Sequence, residues 1–313
     1  MEQTLDTLLD ELRASAEMPA QASLYHLSSL EAEAVGRVRE AWLDWPVELR
    51  RRLVARLVEL AEADFEVDFG AIFRLGLKDE DGDVRAAAIE GLWEDQDVRL
   101  VSSLVALLLE DEVPAVREAA ARSLGRFILL GELAKIHPDP HTRAYQALLT
   151  ACRDTETQVR RRALESLAYA GDETVADLIR EAYVATEEKV RVSAVFAMGR
   201  SADPCWAKHV LRELSSPSPA MRYEAAIACG ELQLDAAVLD LEELADDSDP
   251  EVQEAALWAL GQIGGDKARE ILEFYRDAED EATRAAAESA LDELTFLCGD
   301  LSDFLAGTLR EPD

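Results

Sequence analysis

The sequence predicts an all-α protein, an α-solenoid of antiparallel helical hairpins, and three observations carry that expectation. A twelve-residue stretch recurs seven times along the chain at a nearly constant step. Between its copies lie segments whose apolar residues return every three or four positions, the period of a helix face. Aromatic residues make up only 6% of the 313 positions and β-branched runs are scarce, which leaves little from which to build a sheet. The hydrophobic fraction of 49% is still enough to bury the inner faces of such an array.

The repeated stretches read GDVRAAAIEGLW, PAVREAAARSLG, TQVRRRALESLA, EKVRVSAVFAMG, PAMRYEAAIACG, PEVQEAALWALG and EATRAAAESALD. They align on a column holding Arg85, Arg117, Arg160, Arg191, Arg222, Gln253 and Arg284. Five of its six steps are 31 or 32 residues, and the step from Arg117 to Arg160 is 43. Three positions later alanine fills every copy: Ala88, Ala120, Ala163, Ala194, Ala225, Ala256 and Ala287. Six positions after the column the residues are all small, from Gly91 to Ala290, and one further on they are mostly Leu or Met. The positions one before, three after and seven after the column share a helical stripe. Small side chains there let neighbouring helices approach closely, with Leu or Met filling the space that remains. Each copy is thus the second helix of a hairpin, and repetition at this period marks a stacked array.

Taken in chain order, residues 1–67 are expected to form a divergent N-terminal helical cap. Within it, ASLYHLSSLEAEAVGRVREAW and PVELRRRLVARLVELAEAD read as a first hairpin, and the basic run Arg50-Arg51-Arg52 reads as salt-bridging inside an acidic protein. Residues 68–295 hold the seven copies. Their first helices include VRLVSSLVALLLED, ETVADLIREAYVA, CWAKHVLRELSS, AAVLDLEELADD and KAREILEFYRDA. Turns such as SSPSP and DDSDP end the first helix and start the second, with Ser or Asp able to cap it. Pro114, Pro219 and Pro250 stand at one register near the start of the second helix, where a missing N–H costs little. The 43-residue step reads as an elongated helix plus loop around residues 128–141, and residues 296–313 as a C-terminal tail or short capping helix.

This pattern resembles the HEAT repeat family, in the short form found in phycobilisome-lyase-like proteins. The likeness rests on the Asp/Pro turn, the Val-Arg pairs Val84-Arg85 and Val190-Arg191, the alanine column, and the Leu-Gly endings Leu124-Gly125 and Leu260-Gly261. It covers residues 68–295. The resemblance implies that the arginine column pairs with a turn acid of a neighbouring repeat, with Asp81, Glu187 and Asp249 as counterparts and Gln253 as a break. It also implies an alternative to a plain scaffold, a lyase-like or chaperone-like protein handling a bilin chromophore and its acceptor protein. The repeat serves many roles, so it speaks for fold far more than for function.

The formal net charge is −33, from 65 acidic and 32 basic side chains, and between Glu231 and Asp300 there are 21 acids against four bases. Such a surface repels phosphate backbones and anionic membranes. The expected partner is a protein, basic or neutral, with no nucleic acid and no membrane. The N-terminus starts acidic and amphipathic, without the basic and apolar regions of a secretory signal. No segment approaches ~18 uninterrupted apolar residues, so a cytoplasmic location is expected. Cys152, Cys205, Cys229 and Cys298 form no CxxC pair and read as free thiols used as small core residues.

Nothing in the chain makes a positive case for catalysis. Of His26, His137, His141 and His209, only HPDPH brings two close, and a metal would need two further ligands there. The helical-repeat metalloenzyme deoxyhypusine hydroxylase relies on His-Glu pairs, and no His-Glu dipeptide occurs. DEDGD at 79–83 places its glycine out of step with a calcium loop. With 65 acids, paired carboxylates are inevitable and say nothing about acid–base chemistry. No catalytic residue, metal or cofactor is expected.

The candidate site comes from helical phase. At about 100° per residue, position five after the arginine column lies almost opposite the packing stripe. Its occupants are Glu90, Arg122, Glu165, Phe196, Ile227, Trp258 and Ser289: polar as an exposed column should be, except in three successive repeats. Val192 and Tyr223 lie beside them, and Arg191, Arg200 and Glu254 flank them. If second helices line a concave face, these residues form one apolar strip with a polar rim, the composition of an interface hot spot. The expectation is a non-enzymatic protein-binding scaffold or adaptor using Val192, Phe196, Arg200, Tyr223, Ile227, Glu254 and Trp258. Two other readings stay open. The tail, with Phe296, Leu297, Leu301, Phe304, Leu305 and Leu309, would fold back over the strip, or a different helix phase would make the column core.

Overall fold

The first N–H groups of a helix have no partner inside it, and the turns of this chain supply one. Asp81 accepts from the Val84 N–H at 3.2 Å, Asp172 from Thr174 and Val175 at 2.8 and 3.1 Å, Ser218 from Met221 at 3.4 Å and Asp249 from Glu251 at 3.0 Å. Pro114, Pro219 and Pro250 open their helices, where proline's fixed φ suits the first turn. The structure, a computed structural model, describes residues 5–14 and 18–308, with side chains only as far as Thr295. Among the described residues there are 18 α-helices and no strand, an all-α array of the α-solenoid class. The chain divides into two compact units, Met1–Leu167 and Ala168–Asp313.

In the first unit the helices are α1 (Leu5–Ala14), α2 (Gln21–Leu24), α3 (Ala32–Trp42), α4 (Val47–Ala63), α5 (Gly70–Gly76), α6 (Gly82–Gly91), α7 (Leu100–Glu110), α8 (Pro114–Glu132), α9 (Pro138–Ala151) and α10 (Thr157–Leu167). The second helices stack in a row, α4 on α6, α6 on α8 and α8 on α10, while α5, α7 and α9 pair with the helix that follows each. The expected first hairpin differs, because α3 packs chiefly on α1 and α5 rather than on α4. The long step after Arg117 is taken up as expected by a 19-residue α8, whose extra turns bury Phe127 and Ile128. The HPDPH segment opens α9. His137 caps that helix through Nδ1, and His141 points to Glu132 at 3.2 Å, so the two imidazoles serve different neighbours.

The second unit comprises α11 (Glu173–Tyr183), α12 (Glu188–Arg200), α13 (Ala207–Glu213), α14 (Pro219–Glu231), α15 (Val238–Leu244), α16 (Pro250–Ile263), α17 (Gly265–Tyr275) and α18 (Glu281–Thr308). Here α12, α14, α16 and α18 form the tightly packed row, and the first helices of successive hairpins barely touch among the described residues. Small residues explain the difference. All seven members of the alanine column are fully buried. The glycine eight positions after the arginine column meets the small residue at position six of the next copy. A Cβ on Gly199 would lie 2.7 Å from Ala228 Cα, one on Gly230 3.0 Å from Ala259 Cα, and one on Gly261 3.1 Å from Ala290 Cα. No side chain fits there without moving backbone. The final helix runs unbroken from the last repeat to Thr308. The expected tail cover depends on side chains from Phe296 onward, which lie outside the described residues, as does Cys298.

The arginine column does two jobs. All seven members, Gln253 included, donate to the main-chain carbonyl six residues earlier, at 2.5–3.0 Å. Arg85, Arg117 and Arg222 also reach the next repeat. Arg85 grips Asp111 at 2.7 and 2.8 Å, Arg117 grips Asp154 at 2.8 and 3.0 Å, and Arg222 grips Asp247 at 2.6 and 2.7 Å, each with two N–H groups. Of the acids expected from sequence, Asp249 is corrected here: it stands at the N-cap of α16, two positions beyond the Asp247 that Arg222 meets, while Asp81 and Glu187 stand at the N-caps of α6 and α12. Asp81 does accept a bidentate bond, from Arg51 at 2.9 and 2.6 Å in the helix before. Arg50 joins buried Asp79 at 3.3 Å and Glu80 at 2.8 Å, and Trp42 Nε1 donates to Asp79 at 2.6 Å. Arg50 and Arg51 of the basic run therefore pair with the DEDGD turn, while Arg52 donates to the Glu48 carbonyl at 3.3 Å.

Candidate partner-binding site

Ile227 and Trp258 hold the same helical position on α14 and α16, and the close approach of those helices sets them side by side. With Tyr223, Glu251, Glu254 and Ala255 they line a hollow of about 530 Å³. Trp258 owes its seat to Gly230: a Cβ on that glycine would sit 2.7 Å from Cζ3 of the indole. The indole therefore lies half-buried over the backbone of the preceding helix, with its remaining surface open, and Ile227 is half-buried beside it. Tyr223 is 36% exposed, and Glu251 and Glu254 are exposed. Burial pushes the Tyr223 hydroxyl above its ordinary pKa, and the charges of Glu224, Glu251 and Glu254 push the same way. The hollow is aromatic on its walls and negative at its edge.

One helix earlier, Phe196 is half-buried on α12, and the Arg200 guanidinium lies 5.3 Å from its ring centroid. Arg200 is held there by Glu231 at 2.9 Å. The absence of a side chain at Gly199 admits that carboxylate, since a Cβ there would meet Glu231 Oε2 at 2.6 Å. Burial raises the Glu231 pKa, opposed by the Arg200 charge. Of the residues expected from sequence, the structure gathers Tyr223, Ile227, Glu254 and Trp258 around one hollow and pairs Phe196 with Arg200. Val192 is half-buried a turn before Phe196 and lines neither feature. Glu231, Glu251 and the two glycines were missed, although the Leu-Gly endings marked where the glycines act.

Other candidate chemistry is sparse. Among the described residues no group of three or more His, Cys, Asp or Glu is placed to hold a metal ion. Cys152 and Cys229 are buried, and burial pushes the Cys229 thiol up to about 12. Cys205 departs from the expected core role: it is exposed in the turn before α13, where its N–H donates to Asp203 at 2.8 Å. No helix of the described residues is long and apolar enough to cross a membrane.

The family model for HEAT repeats matches residues 71–138 and 207–292, and the model for the PBS lyase HEAT-like repeat matches residues 159–184. Together they match more than half of the chain. Among solved structures, the complex of CpcE and CpcF of phycocyanin lyase from Nostoc sp. PCC7120 is similar over 74% of this chain and 92% of that chain, at 20% identity and a TM-score of 0.53. Kap95p in complex with RanGDP is similar over 93% of this chain at 15% identity and a TM-score of 0.51, and this chain spans only 46% of it. The Kap95:Nup1 complex gives 14% identity and a TM-score of 0.52 over the same shares. Comparison with curated proteins finds no match. At such identities the structural likenesses speak for fold alone. The two matching repeat models, the fully buried alanine column and the arginine ladder agree: this chain belongs to the HEAT repeat family, with repeats of the phycobilisome-lyase type.

Proposed function

We propose that this protein is a non-enzymatic scaffold that holds a basic segment of a protein partner on the second-helix face of its second unit. The observation that carries the reading is the hollow at Tyr223, Ile227 and Trp258, edged by Glu251 and Glu254. Aromatic faces attract cations, and a Lys or Arg side chain entering the hollow would meet two carboxylates at its edge. The surrounding excess of acids between Glu231 and Asp300 speeds encounter with such a segment. Phe196 and Arg200 extend the surface by one helix. The CpcE, Kap95p and Kap95 structures are each complexes with a protein, CpcF, RanGDP and Nup1, which supports a binding role by analogy of fold.

The test is affinity capture from the native lysate with the wild-type chain and with Tyr223→Ala. Tyr223 is only 36% exposed, so the variant should lose some stability yet remain folded, which thermal melting checks. A partner with a basic segment should be captured by the wild type and lost with the variant, since removing an interface anchor typically costs about 2 kcal/mol or more. Equal capture by both proteins argues against this site. The phycobilisome-lyase character of residues 159–184 supports a second reading, the handling of a bilin and its acceptor protein. Adding a bilin and recording visible absorbance decides it: a new protein-dependent band favours that reading, and an unchanged spectrum removes it.

A further inference from the structure

The first unit carries a groove of about 1030 Å³ on its first-helix side, lined by residues of α3, α5 and α7. Helix α5 has 7 residues, whereas α3 and α7 have 11 each. Val35, Leu75 and Leu107 are half-buried along it and present apolar surface. The rim reverses the charge of the molecule. Arg39, Arg74, Lys78 and Arg99 stand against Asp68 and Asp97, in a chain with twice as many acids as bases. Asp97 is already shared, by Arg99 at 2.6 Å and Arg74 at 3.6 Å. Arg39 and Lys78 are exposed and form no ion pair among the described residues. Cations that stay unpaired among 65 acids point outward to an anionic ligand.

We infer that this groove binds an acidic amphipathic helical peptide, with its leucine face on Leu75 and Leu107 and its carboxylates on Arg39 and Lys78. Helix-in-groove recognition needs an apolar floor and a complementary rim, and both are present. The ligand is opposite in charge to the one proposed for the second unit, so the inference stands whether or not that reading holds. A nucleic acid would match the cations but not the apolar floor, and it would meet the net charge of −33.

The experiment is fluorescence anisotropy of the full-length protein with a labelled Leu/Ala/Glu amphipathic peptide. Parallel titrations use the same peptide with Lys in place of Glu and a short labelled single-stranded DNA. The Glu peptide should bind, the Lys peptide should not bind through this groove, and Arg39→Glu/Lys78→Glu should weaken the Glu peptide about tenfold or more. Leu107→Asp should weaken it similarly, while Glu251→Lys/Glu254→Lys in the other unit should leave it unchanged. Both cations are exposed, so thermal melting should confirm a folded double variant; if it does not, Lys78→Gln alone should still weaken binding by about threefold. No binding of the Glu peptide overturns the inference, as does equal affinity in the groove variants. DNA binding that the double variant abolishes reassigns the groove to nucleic acid.

Discussion

Gly230 shows how one missing side chain shapes the candidate site, because the indole of Trp258 and the backbone of Ala259 occupy the space a Cβ would need. Gly230→Ala should overpack this crossing and destabilise the protein by about 1–3 kcal/mol, measured by denaturant unfolding. It should also shift the emission of Trp258, compared with a Trp258→Phe control, as the ring is pushed towards water. An unchanged midpoint would mean that α14 and α16 do not approach as described. The alanine column behaves in the same way: Ala225 is fully buried, and Ala225→Leu should cost about 1–3 kcal/mol. The alanine positions were legible because close helix packing keeps small residues at one register through all seven copies. The half-burial of Trp258 was not legible. Helical phase turned it away from the packing stripe of its own helix, but its seat lies on the neighbouring helix, and Gly230 is 28 residues away in sequence.

The arginine ladder belongs to the scale of helices, since each rung joins one hairpin to the next. Arg222 and Asp247 are largely buried and bonded twice, so Arg222→Gln should cost about 1.5–3 kcal/mol in chemical denaturation. Where the residue six before the column is Ser216, no carboxylate is available to Arg191. Ser216 nevertheless sits as Asp247 does, accepting the N–H two residues on. Ser216→Asp should therefore add a rung and stabilise the chain by about 0.5–1 kcal/mol. The rungs also set a response to acid. The hydrogen bond from Arg51 holds Asp81 down to about 2, and that from Arg222 holds Asp247 below its ordinary value. At Asp111 and Asp154 burial pushes upward, but the arginine bonds, backbone N–H groups and charges together outweigh it. Carboxylates depressed in the folded state stabilise it above their unfolded pKa of ~4, and that contribution fades as the pH falls towards about 2. Melting temperature should drop across that window, and Arg51→Gln should flatten the drop. The sequence made the arginines plain and the family likeness supplied the idea of a rung, yet Asp249 was expected where Asp247 serves. The N-cap Asp and the ladder Asp are two residues apart in the same turn, and only the placement of the next hairpin distinguishes them.

Across the molecule, charge is uneven: the stretch from Glu231 to Asp300 has 21 acids and four bases, while the groove of the first unit gathers cations. The excess was visible in the sequence; the groove was not, because its cations come from two helices and two turns spread between residues 39 and 99. An acidic face steers a basic partner mainly through its association rate, so that rate should fall steeply with added salt in stopped-flow measurements. A rate independent of salt would leave the acidity as a solubility device. The central claim, that the aromatic hollow with its acidic edge receives a basic segment, is tested most directly by calorimetric titration of a Lys/Arg-rich peptide into the wild-type chain and into Glu251→Lys/Glu254→Lys. Both glutamates are exposed, so the fold is not at stake. The expected result is saturable binding to the wild type and at least about tenfold weaker binding to the variant; equal affinity for the two proteins, or no binding to either, would contradict it.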